Sequence, residues 1–138
     1  MSEVARVSLS LDDGLLASLD AMVSAGNYGN RSEFIRDLVR ERLTREAWEA
    51  GDEVIGVLTV IYNHHRRGLT EKLVELQHHC GETILAATHV HLSHEICAEM
   101  IMIRGRGRGI GQFADAVKRE RGVLHAALSM STTGSEIH

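Results

Sequence analysis

Residues 83–103 read TILAATHVHLSHEICAEMIMI, two aliphatic stretches separated by Ser93-His94-Glu95. β-Branched and aliphatic runs bounded by a short polar break predict two strands, 83–92 and 97–103, joined by a tight connection. Upstream, 68–80 carries Leu69, Leu73, Val74 and Leu76 at helical spacing, and 54–62 is again β-branched. Downstream come a glycine-rich loop over 104–111, a helix over 113–120 and a strand over 123–129, with a polar, frayed tail from Ser131. The order strand-helix-strand-strand-helix-strand is the ferredoxin-like split pattern.

Gly51 separates this half from a different one. In residues 4–11, Val7, Leu9 and Leu11 point one way while Arg6, Ser8 and Ser10 point the other, which predicts a half-buried strand. Asp12-Asp13 opens a helix with Leu15, Leu16, Leu19, Met22 and Val23 on one face, and residues 26–29 break it. Asn30, with Glu33 three residues on, predicts the N-terminus of a second helix reaching Trp48 or Ala50. The expected class is α+β in two domains, 1–50 and 51–138. One strand and two helices cannot bury all their apolar faces, and a lone strand leaves its ladder unpaired. Two copies pairing this strand would expose Arg6, Ser8 and Ser10 on a two-stranded ribbon, which fits the major groove of B-DNA. Arg31 and Ser32 at the start of the second helix add a phosphate site.

Composition narrows the function classes. The chain has 138 residues, 43% hydrophobic and 25% charged, an ordinary globular balance. No apolar run approaches the roughly 18–20 residues of a membrane helix, so no membrane partner is expected. Without a secretory leader the expected compartment is the cytoplasm, where Cys80 and Cys97 would be reduced thiols. The net charge of −4, and six arginines against nine acids in residues 1–50, argue against indiscriminate DNA binding and require a focused basic patch.

Of nine histidines, five (His78, His79, His89, His91, His94) fall within 17 residues. A strand period of two puts His89 and His91 on one face, about 7 Å apart at the backbone. Cys97 lies just past the turn and His78 near the end of the preceding helix. Three imidazoles and one thiolate allow tetrahedral zinc, or nickel(II) or copper(II) in a plane. Blander readings compete elsewhere: His138 as a solvated side chain, and His78-His79 as helix-dipole complements. Trp48 and Tyr62 read as packing residues, with Tyr62 near the metal. The glycine-rich loop lacks nucleotide-binding spacing and reads as a connection, with an anion contact as the lesser alternative.

The spacing His78-(ten)-His89-x-His91-(five)-Cys97 resembles the nickel-responsive transcriptional regulators, the NikR family. So do Asn30-Arg31-Ser32-Glu33, Gln77-His78-His79, Thr88-His89-Val90-His91, Phe113-Ala114-Asp115 and Arg121-Gly122-Val123, across nearly the whole chain. The resemblance implies an N-terminal ribbon-helix-helix DNA-binding domain and a C-terminal ACT-like metal-binding domain. It implies Ni(2+) held by His89, His91 and Cys97 of one subunit and His78 of a facing one, in a homotetramer built as a dimer of dimers. It implies base reading by Arg6, Ser8 and Ser10, where relatives often carry threonine, and DNA-backbone contacts by Arg66 and Arg67. Glu33 and Asp37 resemble positions that hold a second cation. Where relatives continue a histidine run, this chain has Cys80-Gly81, which weakens the case for auxiliary sites at His79 and Cys80; His64 and His65 are further auxiliary candidates.

The expected function is a nickel-dependent regulator, a repressor of nickel-uptake genes, bound to a palindromic double-stranded operator. The alternative is a ribbon-helix-helix regulator sensing another metal or a small molecule through its ACT-like domain. A zinc hydrolase is disfavoured, because four protein ligands leave no open position, so the chain is not expected to be an enzyme. A plain antitoxin explains only the first fifty residues.

Overall fold

The computed structural model describes residues 3–135 and Ile137. The chain forms two compact units, one ending at Leu43 and one beginning at Thr44.

In the first unit, helix α1 (Asp13–Ala25) starts where Asp12 Oδ1 accepts a hydrogen bond from the Leu15 amide at 2.8 Å. This satisfies one of the amides that every helix N-terminus leaves without an intrahelical partner. The helix stops at Gly26, and Asn27 follows with φ of 56°. Helix α2 (Arg31–Ala50) begins with the anticipated cap: Asn30 Oδ1 accepts from the Glu33 amide at 2.9 Å, and Glu33 Oε2 accepts from the Gly29 amide at 3.2 Å. Leu19 and Phe34 are buried in this unit, with Tyr28 edge-on to Phe34.

The strand expected over residues 4–11 is not formed within the single chain. Val4 and Val7 are 89% and 83% exposed, and no described segment pairs with theirs. A strand exists only against a neighbour, and the sequence offers this one no partner of its own.

In the second unit the elements after α2 are β1 (Glu53–Asn63), α3 (Leu69–His78), β2 (Thr83–His91), β3 (Ile96–Arg106), α4 (Gly107–Lys118) and β4 (Val123–Ser131). The sheet is antiparallel throughout, in the order β2-β3-β1-β4. This is the split strand-helix-strand pattern read from the sequence. Along β1 burial alternates strictly, with Val54, Leu58, Val60 and Tyr62 inward. They meet Ile101 and Ile103 of β3 and Leu69, Leu73, Ile110, Phe113 and Val117 of the two helices. Each such side chain contributes about 1.5–3 kcal/mol on leaving water. Trp48 packs on this core, and its Nε1 donates to the Ser131 carbonyl at 2.9 Å.

The opposite face of the sheet stays uncovered in the single chain, with Val90, Met100 and Met102 exposed. Strand β2 is exposed along almost its whole length. Among the described residues no helix is long and apolar enough to cross a membrane.

The glycine-rich segment is not a loop. β3 runs on to Arg106 and α4 begins at Gly107. Nor is it an open anion cradle, because Glu82 already occupies it. Glu82 Oε2 accepts from the Arg106 amide at 3.0 Å, and its carboxyl fills the space that a Cβ on Gly105 or Gly109 would take. Glycine is required here by close approach, and the anion at the start of α4 is the chain's own.

Candidate metal centre

The β2–β3 register sets the site. His91 stands directly opposite Cys97, and His89 opposite Glu99. Directly opposed residues project to one face, and Cys97 shares the helix-covered core, so both histidines lie on that side. Cys97 is 1% exposed, whereas His89 and His91 on the edge strand are exposed. The Cys97 Sγ lies 3.2 Å from His91 Nδ1. The His89 and His91 rings are 5.9 Å apart, nearly perpendicular.

A third donor comes from a place the spacing did not single out as a primary ligand. His64, in the turn after β1, puts its Nδ1 3.4 Å from the same sulfur. Its amide donates to the Glu95 carbonyl at 3.0 Å, tying this turn to the β2–β3 hairpin tip. The ligand atoms of His64, His91 and Cys97 all lie within 4.8 Å of one another. Partial burial, then the nearby charges of His65 and His91, hold the His64 imidazole below its ordinary pKa. The neutral ring, the form that binds metal, is therefore favoured. His65 turns away: its Nε2 meets the His94 carbonyl at 3.1 Å.

His78 and His89 are not part of this trio. His78 is the exposed last residue of α3. Its neighbour Gln77 donates through Nε2 to Glu99 Oε1 at 3.2 Å, fastening the end of α3 to the strand position that faces His89. Tyr62 pairs with Cys97 across β1 and β3 and is buried; burial first, then Glu99 and Cys97, push its phenol up. His79 Nδ1 meets the Glu75 carbonyl at 2.9 Å at the helix end, and Cys80 packs half-buried against the core. The donor chemistry, imidazole nitrogens beside a thiol that deprotonates to thiolate on binding metal, fits a borderline-soft divalent ion such as nickel(II), copper(II) or zinc(II).

The residues expected at DNA are in different states. Arg6, Ser8 and Ser10 lie in the exposed N-terminal segment. Arg31 is held by Asp20 in a two-bond pair, Nε to Oδ1 at 2.7 Å and Nη2 to Oδ2 at 2.9 Å. The Ser32 carbonyl accepts from Arg36 Nε. Arg66 and Arg67 are exposed in the turn between β1 and α3, the Arg66 stem lying over Gly122. Both carboxylates proposed for a second cation have structural partners: Glu33 caps α2, and Asp37 accepts from Tyr28 Oη at 2.8 Å and pairs with Arg40.

Comparison with known proteins addresses both units. The family described as "NikR C terminal nickel binding domain" matches residues 55–131, and "Ribbon-helix-helix protein, copG family" matches residues 5–46. The chain is 45% identical to a relative from Geotalea uraniireducens and 43% to one from Geobacter metallireducens, with 100% of each chain covered. A relative from Solibacter usitatus is 39% identical over 99% of both. All three are assigned by name as nickel-responsive regulators. The crystal structure of the ACT domain from GTP pyrophosphokinase of Chlorobium tepidum superposes with a TM-score of 0.51 at 12% identity, covering 56% of this chain and 99% of that one. That likeness concerns the fold alone.

Proposed function

The chain belongs to the nickel-responsive regulator family, a nickel-dependent transcription regulator with ribbon-helix-helix and ACT-like parts, and from that premise we propose how its residues couple metal to DNA. Residues 1–50 bind DNA and residues 51–138 bind metal and assemble the oligomer. His89, His91 and Cys97 of one subunit, with the partner subunit's His78, hold nickel(II) in a plane of three nitrogens and one sulfur. That donor set suits nickel(II) and copper(II) by geometry. The observation that carries the reading is the buried Cys97 thiol with His91 Nδ1 at 3.2 Å on the paired strand.

The assembly is a homotetramer, a dimer of dimers. Support comes from the uncovered sheet face with Met100, Met102 and Val90, from the exposed edge strand β2, and from His78 standing outside the ligand trio of its own chain. In the DNA-binding part, exposed Val4, Val7 and Leu9 favour pairing of residues 4–11 between two copies. The resulting ribbon offers Arg6, Ser8 and Ser10 to base edges in the major groove. Arg31 and Ser32 at the start of α2, and Arg66 and Arg67, meet the DNA backbone. Arg31 does so while Asp20 fixes its fork. Glu33 and Asp37 take a second cation once their present partners release them.

When bound, the ion supplies a rigid link between the β2–β3 hairpin of one chain and the end of α3 of another. Within one chain, the Gln77–Glu99 bond ties the end of α3 to the strand position facing His89. Biasing the oligomer toward one arrangement couples metal occupancy to the grip on two half-sites of a palindrome. The protein acts in the cytoplasm as a repressor of nickel-uptake genes.

The test separates the two activities. Cys97→Ala should lose nickel-dependent retardation of DNA taken upstream of its own and of nickel-uptake genes, with the fold intact by circular dichroism. Arg6→Ala should lose retardation and keep stoichiometric nickel. Undiminished nickel-dependent retardation by Cys97→Ala would reject the site.

A further inference from the structure

We infer that the hollow between the end of α2 and the start of α4 binds a nucleoside polyphosphate, its phosphates held by Arg45, Arg106 and Arg108 and its base set against Trp48 and Met130. The inference uses none of the side chains assigned above to metal or DNA.

The hollow lies within the second unit and has a volume of about 760 Å³. Small-molecule sites range over about 300–1,000 Å³. Arg45, Trp48 and Glu49 line it from α2, Arg106 and Arg108 from the β3–α4 junction, and Met130 from β4. Gly107 lets the junction approach closely, since a Cβ there would strike the main chain and ring of Trp48. Glu82 fills the space beside Gly105 and Gly109 and is not part of this wall.

Three guanidinium groups around one hollow repel one another, and a polyanion between them removes the repulsion. Among the described residues neither Arg45 nor Arg108 forms an ion pair or a side-chain hydrogen bond. Arg106 is fixed in place, its Nη1 donating to the Gly51 carbonyl at 2.7 Å, and the rest of its fork remains to donate. Such forks match phosphate oxygens two at a time. The rest of the wall says what the anion carries. The Trp48 ring is held still by its bond to the Ser131 carbonyl, and with Met130 it gives the hollow an apolar side for a flat base. Glu49 accepts from ribose hydroxyls or an exocyclic amine and repels a bare anion. Phosphate forks beside an aromatic platform therefore favour a nucleoside polyphosphate over a small polycarboxylate, which would leave the apolar side bare.

The test uses the full-length, metal-free protein, with ATP and GTP as probes and pyrophosphate and adenosine as their separate parts. Trp48 is the chain's one tryptophan, so its emission reports the site directly, and calorimetry gives the affinity. ATP or GTP should bind saturably and change the Trp48 emission. Pyrophosphate and adenosine should each bind at least about tenfold more weakly, each lacking one half of the contacts. Arg45→Ala and Arg108→Ala should each weaken the nucleotide by about tenfold or more, the worth of a charge-assisted hydrogen bond. Arg45→Lys, which keeps the charge, should recover part of the loss. Arg121→Ala, which removes an exposed cation outside the hollow, should change nothing. Absence of ATP and GTP binding, or full-strength binding in both alanine variants, would overturn the inference. An equal loss in Arg121→Ala would reduce the effect to bulk charge and overturn it too. So would pyrophosphate binding as tightly as ATP, which would leave the apolar side without a role. Loss of DNA retardation in Arg45→Ala and Arg108→Ala, with no nucleotide bound by the unaltered chain, would make the hollow a DNA-backbone contact instead.

Discussion

Exchanging Gly109 for alanine should change sign with the residue at position 82. Gly109 sits in the first turn of α4, and the nearest atoms a Cβ there would meet belong to the Glu82 side chain. Arg106, the N-cap, makes no side-chain capping bond, so the Glu82 carboxylate bond to the Arg106 amide at 3.0 Å is what holds this helix start. Hydrogen bonds to charged groups are worth about 1.5–3 kcal/mol, and a negative charge at a helix N-terminus adds about 0.3–1 kcal/mol. Glu82→Ala should therefore cost about 2–3 kcal/mol. Gly109→Ala gains up to about 1 kcal/mol of helix propensity but displaces the carboxylate, for a net loss of about 1 kcal/mol. With Glu82→Ala already present there is no carboxylate to displace, and the same exchange should stabilise by up to about 1 kcal/mol. The coupling is about 2 kcal/mol, well above the scatter of independent sites. Urea unfolding of the four variants measures it, at one fixed chain concentration because subunit association shifts midpoints. An equal effect of Gly109→Ala in both backgrounds would refute the claim that the glycines exist to admit Glu82.

Two further outcomes follow from the first unit. The Arg31 bond, opposed by burial and aided by the Arg31 charge, holds the Asp20 carboxyl below its ordinary value. A depressed carboxyl contributes stability that is full above its unfolded pKa and is lost as pH falls through the folded one. Arg31→Ala should raise the Asp20 titration midpoint, followed by NMR, back to the ordinary carboxylate range; an unmoved midpoint would contradict the pair. Asp12→Ala removes the cap of α1 and should cost about 1 kcal/mol in thermal unfolding, while Asp12→Asn should be nearly neutral. Equal losses in the two would show that the charge rather than the cap matters.

Local chemistry was readable where it is local. Asp12 and Asn30 announced both helix starts, and the β-branched, aliphatic run over 54–62 announced β1, whose inward Val54, Leu58, Val60 and Tyr62 only the structure identifies. The His-x-His spacing put His89 and His91 on one face, as the register has them, whereas the pairing of His91 with Cys97 comes from the register alone. What failed to read is what depends on distant contacts. Arg104, Gly105 and Arg106 look like a loop in isolation, yet they extend β3 because Glu53, Val54 and Ile55 pair with them and Glu82 needs the missing side chains. His64 reaches Cys97 across 33 positions, a separation no spacing rule spans; its only signal was an adjacent histidine pair. The strand over 4–11 was legible as a pattern, but among the described residues no segment pairs with it.

The central claim is that a metal site shared between chains switches DNA binding, and complementation tests it most directly. His78→Ala and Cys97→Ala chains, carrying different tags, are co-expressed and purified through both tags. Each variant alone should fail to retard operator DNA with nickel. The mixed oligomer pairs an intact His89, His91 and Cys97 hairpin with the other chain's His78, so nickel–thiolate absorption and nickel-dependent retardation should both return. A mixed oligomer no better than either variant alone would contradict the account.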